Sequence, residues 1–297
     1  MVRTWISAVT VGLMAMPLSG QNLDATAELM KNLTEAPGPS GFEEAVREIV
    51  VREFEELGLD VQFDGLGSVL ANGGYAVGGP RVMVTAHLDE VGLMVQHITP
   101  DGFVRVKTLG GWLRQALPDQ RWTILGRQGP VMGVSGIRTI HVTPGSQRDR
   151  VWSLEETFLD LGATSAAEVE AMGVRPGDGI APQSDFVVLP NQRYAAKAWD
   201  DRVGIAVMLV AARRIKDEGI RIPAEVVWVA TTQEEIGLRG AQTAVALASP
   251  ELGISIEAGV AADFPGMSPT QAQERLGDGH GIFLLDSSMI PNRKLRD

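Results

Sequence analysis

His87 and Asp89 stand two residues apart at the end of a β-rich run, Arg81 to Ala86. An imidazole in that position can bind a divalent cation through one ring nitrogen while a carboxylate two residues on fixes its tautomer through the other. A lone histidine after a strand is more often structural, so the pair gains meaning only from its company. Glu234 and Glu235 are adjacent at the end of a second strand-like run, Ala224 to Thr231. Neighbouring carboxylates repel unless a positive charge or a shared proton relieves them. One division of labour gives one glutamate a cation and the other a proton to carry; the plain alternative is two solvated loop residues. In Lys197-Ala198-Trp199-Asp200-Asp201-Arg202, the two aspartates either cap a helix or hold cations at its start. Glu257 and Asp263 add carboxylates to a further run, Ile254 to Ala261, that reads as a strand.

The inventory narrows the chemistry. The 297 residues include no cysteine, which removes disulfides, thiolate metal sites and a cysteine nucleophile. A transition-metal site must then use His, Asp and Glu. The histidines are His87, His97, His141 and His280. His97 reads as a surface strand residue, His141 lies in the same short-stranded region, and His280 opens a strand. A net charge of −11 argues against a nucleic-acid partner, which would call for a basic patch.

These residues need elements to carry them. Leu23 to Leu33 and a segment running to Leu57 have helical apolar spacing, and Ser40 with Glu43 and Glu44 reads as the second helix start. Val61-Gln62-Phe63 and Val69-Leu70-Ala71 read as a hairpin around Asp64-Gly65. From about Gly92 to Pro190, short alternating strands are broken by Pro, Gly and Asp turns, with one helix near Ala166 to Met172, as in a small barrel. Asp200 opens a helix to about Lys216. The expected fold is α/β: a mixed, mostly parallel sheet flanked by helices, with an inserted small β-barrel-like domain. The expected division is a leader at 1–20, an α/β domain at 22–92, the insert at 93–190 and the second part of the α/β domain at 191–297. His87, Glu234, Glu235 and Asp263 fall just past strand carboxyl ends, where open α/β sheets place ligands.

Arg3, the apolar run from Trp5 to Leu18 and Ser19-Gly20-Gln21 read as a secretory signal. That predicts a secreted or periplasmic protein; an ordinary apolar helix there would leave it cytoplasmic. No later stretch reaches the roughly 20 apolar residues of a membrane span.

Taken in order, the motifs resemble a known family. Ala86-His87-Leu88-Asp89-Glu90-Val91-Gly92, Ala198-Trp199-Asp200-Asp201-Arg202 and Gln233-Glu234-Glu235-Ile236-Gly237-Leu238-Arg239-Gly240-Ala241 resemble the signatures of the tetrahedral-type dinuclear metallo-aminopeptidases, peptidase family M42. The turn from Glu35 to Glu43, Leu109-Gly110-Gly111-Trp112 and Phe158 to Ala163 resemble further family segments, so the likeness runs from about Leu23 to Asp297.

The resemblance implies two divalent ions, Zn, Co or Mn, and peptide substrates. It implies His87 and Glu257 on one ion, Glu235 on the other, and Asp200 bridging. Asp89 would orient His87, and Glu234 would be the general base toward an activated water. It also implies homo-oligomers, from dimer to dodecamer, assembled through the inserted domain.

Two departures stand out. Glu257 occupies the position of a family aspartate, with Asp263 as the competing ligand, and the resemblance implies a C-terminal extension bearing a last metal-binding histidine beyond Asp297. The chain therefore reads as C-terminally incomplete, with its second metal site unfinished. A non-catalytic homologue binding peptide or a partner is the alternative. A polysaccharide hydrolase ranks last, because His87-x-Asp89 and Asp200 have no part in a two-carboxylate glycosidase mechanism.

Overall fold

The computed structural model describes residues 23–73, 78–268, 270, 274–286 and 288–297; the leader expected at 1–20 lies outside the described residues. The chain opens with helices α1 (Ala25–Glu35) and α2 (Glu44–Glu56). The Asp24 carboxylate accepts the Ala27 N–H at 2.8 Å and so caps α1. Strands β1 (Asp60–Phe63) and β2 (Val69–Asn72) form the expected hairpin, paired antiparallel from Asp60 opposite Asn72 to Phe63 opposite Val69. The Asp64 carboxylate binds the amides of Leu66 and Ser68 and closes the turn. Strand β3 (Arg81–His87) comes next.

The insert is a closed six-stranded barrel of β4 (Gly92–Ile98), β5 (Val104–Leu109), β6 (Arg121–Gly126), β7 (Gly129–Gly136), β8 (Phe158–Asp160) and β9 (Gly179–Pro182). It carries the short helix α3 (Ala166–Ala171) and packs Leu93, Val104, Trp122, Ile124, Leu159 and Ile180 inside. A hairpin of β10 (Val187–Leu189) and β11 (Arg193–Ala195) leads back to the long helix α4 (Trp199–Asp217). Strand β12 (Glu225–Thr231), helix α5 (Arg239–Ala248), strand β13 (Leu252–Ser255) and the short α6 (Arg293–Arg296) complete the order.

The main sheet runs β1-β2-β12-β3-β13. The pairings of β1 with β2 and of β2 with β12 are antiparallel, whereas those of β12 with β3 and of β3 with β13 are parallel. The sheet is thus evenly mixed, and the expectation of a mostly parallel sheet describes only the half that carries the site. The reason is local: the tight turn at Asp64 permits only an antiparallel partner, while β3 and β12 are joined through the barrel and α4.

Alternation sorts the strand residues onto two faces. Trp228 and Ala230 join α1, α2 and α4 in one core with Leu33, Val50, Phe54 and Ile205. Val227 and Val229 face α5 with Leu70, Met83 and Ala244. Each fully buried Leu or Phe contributes about 1.5–3 kcal/mol, so the α1–α2–α4 layer is a firm base for the strand ends above it.

Three local expectations are corrected. Ser40 does not start α2; the helix begins after Glu43, and the Ser40 hydroxyl instead donates to Asp89 at 2.6 Å. The run expected as a strand to Ala261 ends at Ser255, where the Ile256 amide makes the last contact to Thr85. No strand is described at His280, in an exposed Gly- and Asp-rich stretch that pairs with no strand.

Candidate metal centre

The parallel register aligns Thr231 of β12 with His87 of β3, so the two strands end side by side. The segments leaving these strands are therefore held together: Leu88 N–H donates to the Thr231 carbonyl at 2.7 Å. The segment after β13 arrives on the other side of β3 and brings Glu257. Helix α4 supplies the fourth wall. Its first residues are not helical: Asp200 and Asp201 have extended or irregular backbone, and the peptide bond between them is cis.

The hydrogen bonds of the two aspartates differ. Asp201 points inward, where its carboxylate accepts the amides of Gly204 and His87, both at 3.1 Å. It is the cap of α4 and the anchor of the β3 end. Asp200 points the other way, to His87 Nε2 at 2.9 Å. Asp201 thus takes the capping part of this pair, and Asp200 is left facing His87.

His87 is 3% exposed. Around its Nε2 stand Asp200 Oδ1 at 2.9 Å, Glu257 Oε1 at 3.7 Å and Glu234 Oε2 at 3.9 Å. The ligand atoms of His87, Asp200 and Glu257 all lie within 4.8 Å of one another, the single such group among the described residues. Asp263 is exposed and is not in the group; Glu257 is the carboxylate beside His87. Glu235 lies outside the group as well, its carboxylate against Gly110 of the barrel connection. Gly110 has φ +79°, and a Cβ there would meet Val91 Cγ1 at 2.8 Å and Glu235 Oε2 at 3.2 Å, so a side chain at this position would be strained and would press on both neighbours. His97, His141 and His280 are exposed and do not join the group.

Asp89 differs in detail from its expected part. His87 Nδ1 meets the Asp89 backbone carbonyl at 3.0 Å, and the Asp89 carboxylate is farther, at 3.5 Å. That carboxylate is occupied elsewhere: it accepts Glu234 N–H at 2.8 Å, Glu235 N–H at 3.1 Å and the Ser40 hydroxyl. A short buried side chain with several lone pairs can hold a loop as well as a ring, and Asp89 positions the glutamate pair as much as the histidine.

Beneath the site lies a buried ionic floor that sequence reasoning missed. Arg202, fully buried, donates to the carbonyl of Leu88 at 2.6 Å, to Ala36 at 3.2 Å and to Leu33. Glu90 accepts from Lys197 Nζ at 2.5 Å and Gly38 N–H at 3.0 Å. An Arg three residues into a helix start looks solvent-facing in sequence; only the fold of the Pro37–Phe42 turn over it reveals the burial. Replacing Arg202 with Met takes a donor from three carbonyls and removes the guanidinium charge 3.7 Å from Glu90. The expected loss is about 3–5 kcal/mol, read by urea unfolding.

The electrostatics show a deficit of positive charge. Burial and then Asp200 push Glu235 up to about 7, and burial with Asp200 also takes Glu257 to about 7. Burial and then Glu257 lift Asp201 to about 8. Burial, then Asp89 and Asp200, raises Glu234. Burial pulls His87 down, but hydrogen bonds with Asp200 and Asp89 and the nearby Asp201 outweigh it and carry the imidazole to about 11. Acids that resist ionisation around a histidine that resists deprotonation mark a place short of positive charge. Hard oxygen donors with one imidazole nitrogen suit a divalent ion such as Zn, Co or Mn.

These shifts make stability depend on pH. Asp201, Glu235 and Glu257 bind protons more tightly folded than unfolded, and so does His87. Their stabilisation is present at low pH and is lost as pH rises: above about 4 for the acids, and above about 6.5 for His87. Asp89 and Asp200, held low, act only in acid below that window. The metal-free protein is therefore expected to melt lower at pH 8 than at pH 5. Added Zn²⁺ or Co²⁺ should raise Tm more at pH 8, because binding displaces the protons. Thermal melts with chelator and with metal across this range check it.

Comparison with known proteins agrees with the geometry. The M42 glutamyl aminopeptidase family model matches residues 67–297. Putative aminopeptidase FrvX of Escherichia coli is 38% identical over 90% of this chain and 74% of its own length. The crystal structure of a TET aminopeptidase from a marine sediment Thaumarchaeota archaeon superposes with a TM-score of 0.89 at 41% identity, covering 93% of this chain and 77% of that one. The Pyrococcus horikoshii TET1 peptidase, which can assemble into a tetrahedron or a large octahedral shell, gives 0.81 at 28% identity over 92% of this chain and 79% of that one. Sequence, relatives and fold converge, and the chain belongs to the M42 glutamyl aminopeptidase family.

Proposed function

We propose that this metal-dependent aminopeptidase hydrolyses the N-terminal peptide bond with Glu234 as general base, His87, Asp200 and Glu257 on one divalent ion, and Glu235 on a second. The observation that carries this is the Glu234 carboxylate 3.9 Å from His87 Nε2, outside the cluster of three ligand atoms yet beside it. Bound divalent ions supply a Lewis acid for the scissile carbonyl and make a nearby water more acidic.

The chain's own residues do the rest. Glu234 is half-buried, and burial raises its affinity for a proton, the direction that suits a group that must take a proton and release it to an amine. Asp89 fixes the Glu234 and Glu235 amides and so aims both side chains. Asp201 holds the His87 backbone, leaving Asp200 free to face the cation.

Export to the periplasm or beyond is supported by the Trp5–Leu18 run. Self-assembly through the barrel is supported by Met132 and Val134, exposed on β7, and by the shell-forming relative. The test of the reaction pairs two decapeptides of one sequence, with a free and an acetylated N-terminus, and adds a soluble β-glucan. Release of the first residue from the free peptide alone, abolished by chelator, is the expected result. Internal cleavage or glucan hydrolysis would overturn the reading.

A further inference from the structure

We propose that Glu43 is a positioning residue of the reaction: it sets the backbone of Gln233 and through it the aim of Glu234 and Glu235. Glu43 occupies the N-cap of α2, yet its side chain makes no capping bond to that helix. It reaches across the chain instead. Its Oε1 accepts Gly41 N–H at 2.7 Å and Gln233 N–H at 3.1 Å, while Oε2 lies 3.7 Å from Arg47 Nη2. The side chain is 2% exposed.

Three consecutive amides thus end on two buried carboxylates: Gln233 on Glu43, and Glu234 and Glu235 on Asp89. Gln233 has φ +54°, a left-handed conformation that non-glycine residues adopt only when their surroundings impose it. The Glu43 bond is the contact that fixes its amide. The clamp also joins the Glu35–Glu43 turn to the site, since Ser40 of the same turn binds Asp89 and Gly38 binds Glu90. A helix-capping glutamate would leave the loop free; this one leaves the helix uncapped and holds the loop.

The inference rests on the roles proposed for Glu234 and Glu235, and the test separates the two. Full-length Glu43→Ala and Glu43→Gln, metal-loaded, are compared with the parent on the best of an aminoacyl-nitroanilide panel and by hydrogen exchange of the segment 231–238. Glutamine keeps an acceptor oxygen for both amides. The alanine variant is expected to lose about 10- to 100-fold in kcat with KM little changed, as for a displaced catalytic group, and to exchange faster in that segment. Glutamine is expected to restore most of both. Parent-like kcat and exchange in the alanine variant, or a glutamine variant as impaired as alanine, would overturn the proposal. Should the parent cleave no peptide, the mechanism above fails, and the exchange comparison alone decides the role of Glu43.

Discussion

Glu234→Gln is expected to lower kcat by about 10²- to 10⁴-fold, the usual contribution of general acid–base catalysis, with bound metal and Tm near the parent's. The substitution keeps the shape of the side chain and removes only its capacity to accept a proton. Glu234 is not in the cluster of ligand atoms, so metal content should hold. Its backbone amide stays on Asp89, because that bond does not involve the side chain. A fall in kcat at constant metal content separates base from ligand. A variant within a few-fold of the parent, or one that loses its metal, contradicts the assignment. Steady-state kinetics with metal analysis on the same sample gives both numbers.

The second large effect is at Asp200. Replacing it with alanine removes the carboxylate nearest His87 Nε2, at 2.9 Å, which also interacts with Glu257. The loss in metal affinity should exceed the roughly 10- to 100-fold typical of residues that merely orient a ligand. The same variant lowers the repulsion on Glu235 and Glu257, for which Asp200 is a cause of their raised values. The metal-free protein should therefore survive the change, while the rise in Tm on adding metal shrinks or vanishes. Metal titration followed by thermal melting measures this. An Asp200→Ala variant with the parent's metal-induced rise in Tm would remove Asp200 from the ligand set.

Much of the site was legible because its residues lie just past strands whose ends a parallel register must align. Two β-rich runs and the tendency of open sheets to gather ligands past their carboxyl ends made His87 and Glu234 candidates, and the resemblance to the family supplied their roles. Glu257 was preferred to Asp263 by its match to the family position, and the structure has it beside His87. The hidden features depend on contacts between distant segments. Glu43 looked like part of a helix start and instead holds a loop 190 residues on. Arg202 drew no reading of its own beyond its place in a motif, and it lies buried under the Pro37–Phe42 turn. Asp89 was read as a partner of the imidazole, because sequence distance cannot show that the amides of Glu234 and Glu235 reach its carboxylate first. The antiparallel half of the sheet was hidden for a related reason: a hairpin can be read from its turn, but the edge on which it docks cannot.

The most direct test of the metal centre is the anomalous scattering of Co²⁺- or Zn²⁺-loaded crystals. A strong peak is expected, enclosed by His87 Nε2, Asp200 and Glu257, with Glu234 beside it and not bound to it. A protein that takes up its ion elsewhere, at Asp263 or away from His87, would contradict this assignment.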